Sequence, residues 1–252
     1  QAQAKEAAKN ADKIITVSEV SKKDILRHLK IREDKIEVIY NAASPIFSHK
    51  IHEAKKREIL KKYGIHDKPY FLYVGGYDKR KNVSLLLEIF NRYIFPKHNV
   101  NLVLAGGKLY DSPLYSSFDH LTACGNGPKL EPEVGGAIRL GFLQDEELAA
   151  VYSSCLCFLH LSVKEGFNIP IVEAIESGAP IVLSDIEIHR EIAKDSAEYV
   201  DLKDERGIAG TLKKLIADSS YRKSLLERSK TMKGRYSWEK AATQTSRLYR
   251  SI

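Results

Sequence analysis

The sequence predicts an α/β fold, with a Rossmann-like, doubly wound parallel sheet and further helices at the C-terminal end. Apolar runs of strand length alternate with helix-length segments almost throughout the chain. Most of these runs are apolar without strict alternation, which is typical of parallel strands that are buried on both faces. The chain has 252 residues, of which 43% are hydrophobic, and this is enough for a sizeable core.

Eight segments have the strand pattern, and they lie at residues 13–18, 35–41, 70–76, 100–107, 137–143, 155–162, 179–185 and 197–202. Helical patterns lie between the later strands, at residues 82–93, 144–152 and 170–177, and three more helices are expected within 204–252. Ligands in doubly wound folds bind beyond the carboxyl ends of the strands, so the residues directly after each strand are the candidates for a site.

Three regions are expected along the chain. Residues 1–44 resemble the end of a preceding α/β unit followed by a hinge, residues 45–235 form the main sheet domain, and residues 236–252 form a C-terminal crossover helix. Residues 107–136 make a long connection, spotted with glycine and proline, to which the sequence assigns no role.

The charge and the cysteine content exclude several classes of function. The net charge of +7 comes from short scattered clusters, which are either solvated faces or attractants for phosphate or an anionic membrane. No basic, aromatic-rich stripe indicates a nucleic-acid partner. The three cysteines predict neither a disulfide framework nor a metal site, and a reducing cytoplasmic compartment is expected. No stretch approaches the roughly 20 apolar residues that span a bilayer.

The segment after the third strand has the composition of a phosphate-binding loop. The strand ends in Gly75-Gly76, and Arg80-Lys81 follow just before a helix. Glycine-rich turns bring backbone N–H groups to phosphates, and the two basic side chains add positive charge. Gly106 ends the next strand in a similar way. The alternative is an ordinary strand–turn–helix with a solvated basic turn.

The segment after the sixth strand combines a loop, two carboxylates and a helix start. Gly166 lets the backbone approach a ligand, and Asn168 is expected to cap the helix that follows. The first turn of a helix favours anionic groups, and the carboxylates of Glu165 and Glu173 can accept hydrogen bonds from hydroxyls. Taken alone, the pair of glutamates equally fits a capped helix with a solvent-exposed carboxylate.

The string EGFNIPIVEAIESGAPIV, at residues 165–182, resembles the signature of the family 4 retaining glycosyltransferases, the "group 1" transferases of GT-B fold. The resemblance implies that Glu165 lies near the donor sugar and that Glu173 binds the ribose. It also implies that the backbone from Gly166 to Ile169 holds sugar and phosphates; the residues concerned are Gly166, Phe167, Asn168 and Ile169. Asn168 stands where the family more often has glycine.

Two further segments resemble parts of the same family. The segment from Gly75 to Asn82 is similar to its diphosphate loop, with Gly76 in the place of an arginine. The segment that begins at Gly141 is similar to its base-binding segment, which implies that Phe142 and Leu143 lie near the base. Arg80 and Lys81 are then expected to stabilise the leaving diphosphate.

The resemblance implies transfer of a sugar, with retention, from a GDP- or UDP-sugar to a hydroxyl of a glycan or lipid-linked acceptor. A mannosyltransferase in polysaccharide biosynthesis fits the pattern, and neither a metal nor another cofactor is expected. The enzyme is expected in the cytoplasm or on the inner face of the membrane. The family's acceptor domain is expected to be missing, so the isolated chain should transfer sugar poorly. A non-catalytic nucleotide-sugar-binding module and another GT-B enzyme, such as a sugar-nucleotide epimerase, remain open.

Overall fold

The computed structural model describes residues 2–95, 97–106 and 137–252. The long connection at 107–136 therefore lies outside the described residues. Within the described ranges, no helix is long and apolar enough to cross a membrane.

The first forty residues form a small unit with its own sheet. Its elements are α1 (Ala2–Asn10), β1 (Ile14–Thr16), α2 (Glu19–Leu29) and β2 (Ile36–Val38). β1 and β2 pair in parallel and form a two-stranded sheet that is separate from the main sheet. The strands predicted at residues 13–18 and 35–41 are confirmed. The proposed domain boundaries stay a prediction.

The main sheet has six parallel strands. They are β3 (Tyr70–Val74), β4 (Asn101–Ala105), β5 (Ala137–Gly141), β6 (Cys157–His160), β7 (Ile181–Ser184) and β8 (Glu198–Val200). Their order is β5-β4-β3-β6-β7-β8, and every neighbouring pair is parallel. This is the doubly wound order, in which the direction of winding reverses between β3 and β6. The predicted Rossmann-like sheet is confirmed.

Helices cover both faces of this sheet. They are α3 (Glu53–Lys62), α4 (Val83–Ile89), α5 (Asp145–Ser154), α6 (Ile169–Ser177), α7 (Glu187–Ala193), α8 (Glu205–Ala217), α9 (Ser219–Lys230) and α10 (Trp238–Tyr249). Successive strand residues enter two different cores, with Leu72 in one and Phe71 in the other. Both faces of the strands are therefore buried, which explains the continuous apolar runs in the sequence.

Candidate functional site

Two loops meet where the winding of the sheet reverses. We call residues 75–82, which follow β3, the β3 loop, and residues 161–168, which follow β6, the β6 loop. The Val163 amide donates a hydrogen bond to the Arg80 carbonyl across a distance of 2.9 Å, which joins the two loops through their backbones. The loops therefore form one surface at the carboxyl edge of the sheet, where ligands of such folds bind.

An ion pair joins the same two loops through their side chains. Lys81 Nζ lies 2.7 Å from Glu165 Oε1, and only 16% and 6% of the two side chains are exposed. Ser162 Oγ donates a hydrogen bond to the same carboxylate oxygen at 2.7 Å. The ammonium of Lys81 carries three N–H donors, of which one is directed to Glu165. The structure thus brings together two of the three side chains predicted to be catalytic.

The third of these, Arg80, has a different partner. Arg80 Nε lies 3.0 Å from Asp78 Oδ1, and the Arg80 amide donates a hydrogen bond to the same oxygen at 3.1 Å. The side chain remains 59% exposed. Arg80 therefore lies at the rim of the site, with its guanidinium directed to its own turn, while Lys81 is directed to Glu165.

The helix after the β6 loop starts differently from the prediction. Asn168 has a left-handed backbone, with φ 75° and ψ 71°, and its side chain makes no capping hydrogen bond. The expected cap is wrong because side-chain capping requires an extended backbone at this position. The side-chain nitrogen of Asn168, Nδ2, instead lies 3.1 Å from His160 Nδ1 and 3.1 Å from His189 Nε2.

The two histidines beside Asn168 are neutral. Burial lowers the pKa of His160 well below its usual range and lowers the pKa of His189 to about 4. His189 Nδ1 lies 3.0 Å from the carbonyl oxygen of Ser184, which assigns the proton to Nδ1 and leaves Nε2 to accept from Asn168. The side chain of Asn168 therefore donates a hydrogen bond to His189 on α7 and lies beside His160 on β6, and all three groups are uncharged.

Two glycines of the site are required by close packing of the backbone. A Cβ atom on Gly106 would lie 2.1 Å from the carbonyl oxygen of Gly75, and the two residues have φ values of 146° and 149°. The Gly75 amide also donates to the Ala105 carbonyl at 3.0 Å. The carbonyl of Gly76 accepts a hydrogen bond from the Tyr73 hydroxyl at 2.5 Å. These contacts bring the ends of β3 and β4 together and fix the start of the β3 loop.

Glu173 lies on α6 and has a different set of neighbours from Glu165. The Tyr152 hydroxyl donates a hydrogen bond to Glu173 Oε2 at 3.0 Å. Burial raises the pKa of Glu173 to about 7, although the bond from Tyr152 acts in the opposite direction. A carboxyl group near its pKa at neutral pH is a feature of binding and catalytic sites.

Three of the remaining predicted residues offer different groups to a ligand. The Phe142 ring, just beyond β5, is 75% exposed, whereas the Leu143 side chain is buried in the core. The Phe167 ring packs in an aromatic cluster with Tyr40 and Tyr236, at centroid distances of 6.2 and 5.5 Å. A ligand could therefore contact Leu143 and Phe167 only through their backbone atoms, whereas it could contact the exposed ring of Phe142.

Tyr152 and His189 were not identified from the sequence. Each lies inside a helix whose pattern predicts only core packing, and no local motif marks either one. Ser162 falls at a strand end, where candidates were expected, but its bond to Glu165 depends on how the loop folds back.

The parallel sheet and the paired loops at its switch point define a Rossmann-like fold with a candidate ligand site at the carboxyl edge of the sheet. Residues 55–232 match the family described as glycosyl transferases group 1, so the chain belongs to this family. The predicted resemblance to the group 1 glycosyltransferases is confirmed.

Relatives and solved structures agree with this assignment. The chain is 28% identical to O-antigen chain mannosyltransferase B of Escherichia coli, over 98% of this chain and 62% of the relative. It is 27% identical to O-antigen chain mannosyltransferase RfbU of Salmonella typhimurium, over 84% of this chain and 53% of the relative. The crystal structure of Anabaena HepE in complex with UDP and glucose has the same fold, with a TM-score of 0.81, 18% identity and coverage of 98% of this chain and 65% of that chain. The chain thus spans less than two thirds of the length of each of these proteins.

Proposed function

We propose that this chain carries the nucleotide-sugar site of a retaining hexosyltransferase that uses a nucleoside-diphosphate sugar as its donor. The observation that carries the proposal is the buried pair of Lys81 and Glu165 at the switch point of the sheet. This pair places a cation and a hydroxyl-binding carboxylate side by side, as a phosphorylated sugar requires. Membership of the group 1 family supports the same conclusion.

The basic residues act on the leaving group. When the bond between the anomeric carbon and the diphosphate breaks, negative charge develops on the diphosphate oxygens. Lys81, which is held in position by Glu165, and the exposed Arg80 stabilise that charge. The positive end of the α6 dipole acts in the same direction.

The carboxylates bind the neutral parts of the donor. Glu165 accepts hydrogen bonds from sugar hydroxyls, and Glu173 accepts them from the ribose. The backbone of the β6 loop, from Gly166 to Ile169, holds the sugar and the phosphates. The exposed Phe142 ring offers an apolar face to the base.

Retention follows if the acceptor attacks from the side of the leaving diphosphate. The bond between the anomeric carbon and the phosphate oxygen breaks, and the acceptor oxygen forms its bond to the same face of that carbon. The acceptor proton passes to the departing phosphate oxygen. This route requires no enzyme nucleophile, so Glu165 serves as an orienting group.

The sugar is proposed to be mannose, and the acceptor a hydroxyl of a growing glycan or a lipid-linked saccharide. Two relatives that carry the name O-antigen chain mannosyltransferase support this choice. The base is guanine or uracil. A lipid-linked acceptor would bring the basic chain, with its net charge of +7, to the inner face of a membrane.

Calorimetric titration with UDP, GDP and ADP tests the site. We expect saturable binding of one diphosphate that is weakened at least tenfold in Glu173→Ala and unchanged in Glu227→Ala, which alters an exposed carboxylate on α9. Binding that Glu173→Ala leaves unchanged would exclude the proposed ribose contact.

Turnover of Lys81→Ala tests the chemistry. With the complete enzyme, we expect kcat to fall by about two orders of magnitude, as is typical when an electrostatic stabiliser of the transition state is removed. Lys230→Ala, which alters an exposed lysine on α9, is the control. A Lys81→Ala enzyme with unchanged turnover would remove Lys81 from the mechanism.

A further inference from the structure

The first turn of α2 lies against the β6 loop. Ser18 is fully buried, and its Oγ donates a hydrogen bond to the Gly166 carbonyl at 2.6 Å. Ser21 Oγ donates to the same carbonyl at 3.1 Å. Ser18 Oγ also accepts from the Ser21 amide at 3.0 Å, so one hydroxyl caps α2 and holds the loop. Gly166 is thus fixed by two side chains that are remote in sequence.

A carboxylate of α7 binds the same end of α2. The Glu191 carboxylate accepts hydrogen bonds from the amides of Glu19 and Val20, at 2.8 and 2.9 Å. These are free amides of the first helical turn, where the helix dipole favours a negative charge. Glu191 lies two residues after His189, which accepts a hydrogen bond from Asn168. One helix, α7, therefore holds both the start of α2 and the last residue of the β6 loop.

From these contacts we infer that the start of α2 is a positioning element for nucleotide-sugar binding. Ser18 and Ser21 act through the Gly166 carbonyl and fix the loop between Glu165 and Asn168. α2 belongs to the unit with the two-stranded sheet, whereas the β6 loop belongs to the six-stranded sheet. A shift of the unit with the two-stranded sheet would therefore also move the Gly166 carbonyl in the β6 loop. The inference rests on the proposed function, because it assumes that the β6 loop holds the phosphates and the sugar.

A nearby ion pair adds little to this contact. Lys164 Nζ lies 2.8 Å from Asp24 Oδ2, but the lysine is exposed. Exposed pairs of this kind contribute little to stability. The hydroxyls of Ser18 and Ser21 are therefore the groups to remove.

The test compares two ligands of the same base in the 252-residue chain. In the Ser18→Ala/Ser21→Ala variant, we expect the affinity for UDP-glucose or GDP-mannose, whichever the wild type binds, to fall about tenfold, as for the loss of two ordinary hydrogen bonds. The affinity for the matching nucleoside monophosphate should change less than twofold, because that ligand lacks the second phosphate and the sugar. An equal loss for both ligands would indicate general destabilisation and overturn the inference.

Ser237→Ala is the matched control. Ser237 caps α10 by accepting from the Lys240 amide at 3.2 Å, so this variant also loses the cap of a helix. The neighbouring Tyr236 ring packs against Phe167, but among the described contacts the Ser237 hydroxyl bonds only within its own helix start, so the substitution leaves the hydrogen bonds of the β6 loop in place. We expect it to bind both ligands as the wild type does. Ser21→Ala alone serves if the double variant does not fold, because the Ser18 cap uses only the backbone N–H of residue 21.

Hydrogen exchange separates a failure of this inference from a failure of the proposed function. Amides 161–168 should exchange faster in the double variant than in the wild type or in Ser237→Ala. Unchanged exchange would show that α2 does not hold the loop, whatever the ligand. If the wild type bound no nucleotide sugar while exchange still increased, the proposed function would fail and the structural contact would stand.

Discussion

At the scale of single residues, Glu173 has an unusual protonation equilibrium. Its pKa is raised to about 7, so its carboxylate changes charge close to neutral pH. The ionised form accepts hydrogen bonds from a ribose more strongly than the protonated form. Between pH 8 and pH 6 the ionised fraction of such a group falls from about nine tenths to about one tenth. Nucleotide binding by the wild type should weaken by up to about tenfold over this interval.

Calorimetry at pH 8, 7 and 6 measures this effect, with Glu173→Gln as the comparison. The variant should bind weakly at every pH and with little pH dependence. The same group also affects stability, since its folded pKa lies above its ordinary value of 4.5. The folded protein therefore holds a proton that the unfolded chain loses, and the contribution of Glu173 to the free energy of unfolding falls as the pH rises from 4.5 to 7. A binding profile that is identical in wild type and variant would exclude this role.

Lys194 carries a backbone conformation that suits glycine. Its φ of 47° and ψ of −124°, directly after α7, are strained for a residue with a side chain. Lys194→Gly should therefore stabilise the protein by about 1 kcal/mol after the loss of chain entropy is included. Thermal unfolding should show a rise in Tm of about 2–4 °C. Lys194→Ala is the control, because it removes the side chain but keeps the Cβ atom; an equal gain in this variant would exclude backbone strain as the cause.

At the scale of elements, α6 shows what a local sequence pattern can and cannot predict. The loop, the helix and its end at Gly178 were predicted from composition, because glycine and proline restrict the backbone locally. The direction of the Asn168 side chain was predicted wrongly, because it is set by histidines on two other elements and not by the helix start. The family more often has glycine here, which fits the left-handed backbone that the structure shows.

Because residue 168 has a left-handed backbone, glycine should stabilise the protein more than alanine there, which is the reverse of their usual order within a helix. Asn168→Gly and Asn168→Ala both leave Nε2 of His189 without its donor, but only alanine adds left-handed strain, of about 1 kcal/mol. Asn168→Ala should therefore unfold at a Tm about 2–4 °C below that of Asn168→Gly. Ser224, exposed on α9, supplies the control, since alanine should be the more stable residue in a helix interior there. The same order of stability at both positions would contradict the left-handed assignment.

At the scale of the whole molecule, the fold was predictable and the contacts across the site were not. Buried parallel strands produce apolar runs that are visible in the sequence, so the strand segments and the doubly wound sheet were predicted correctly. The contact between Lys81 and Glu165 joins residues 84 apart, and the contact between Ser18 and Gly166 joins residues 148 apart. The family resemblance placed Glu165 near the donor sugar without indicating its lysine partner. Such pairs depend on the winding of the sheet and on side-chain direction, which no local pattern specifies.

The Lys81–Glu165 pair also couples the stability of the β3 loop to that of the β6 loop, because each charge is buried against the other. Lys81→Met leaves a carboxylate buried without its cation, which should lower the free energy of unfolding by about 3 kcal/mol. Adding Glu165→Gln should restore at least half of that loss, because the neutral amide can still accept from Ser162 and needs no counter-ion. Urea unfolding of the wild type, both single variants and the double variant measures the coupling between the two positions.

The exposed pair of Lys230 and Glu227 on α9 is the matched control for this cycle, with the same substitutions. Solvent screens that pair, so its coupling should stay below about 1 kcal/mol. If the buried pair coupled no more strongly than this one, Lys81 and Glu165 would not be joined in solution. The loops after β3 and β6 would then be linked only by their backbone contact, and the diphosphate would have to be held by Lys81 without support from Glu165. A clearly larger coupling would mean that the fold itself holds Lys81 beside Glu165. The ammonium group would then already be in position for its proposed contact with the diphosphate before the donor binds.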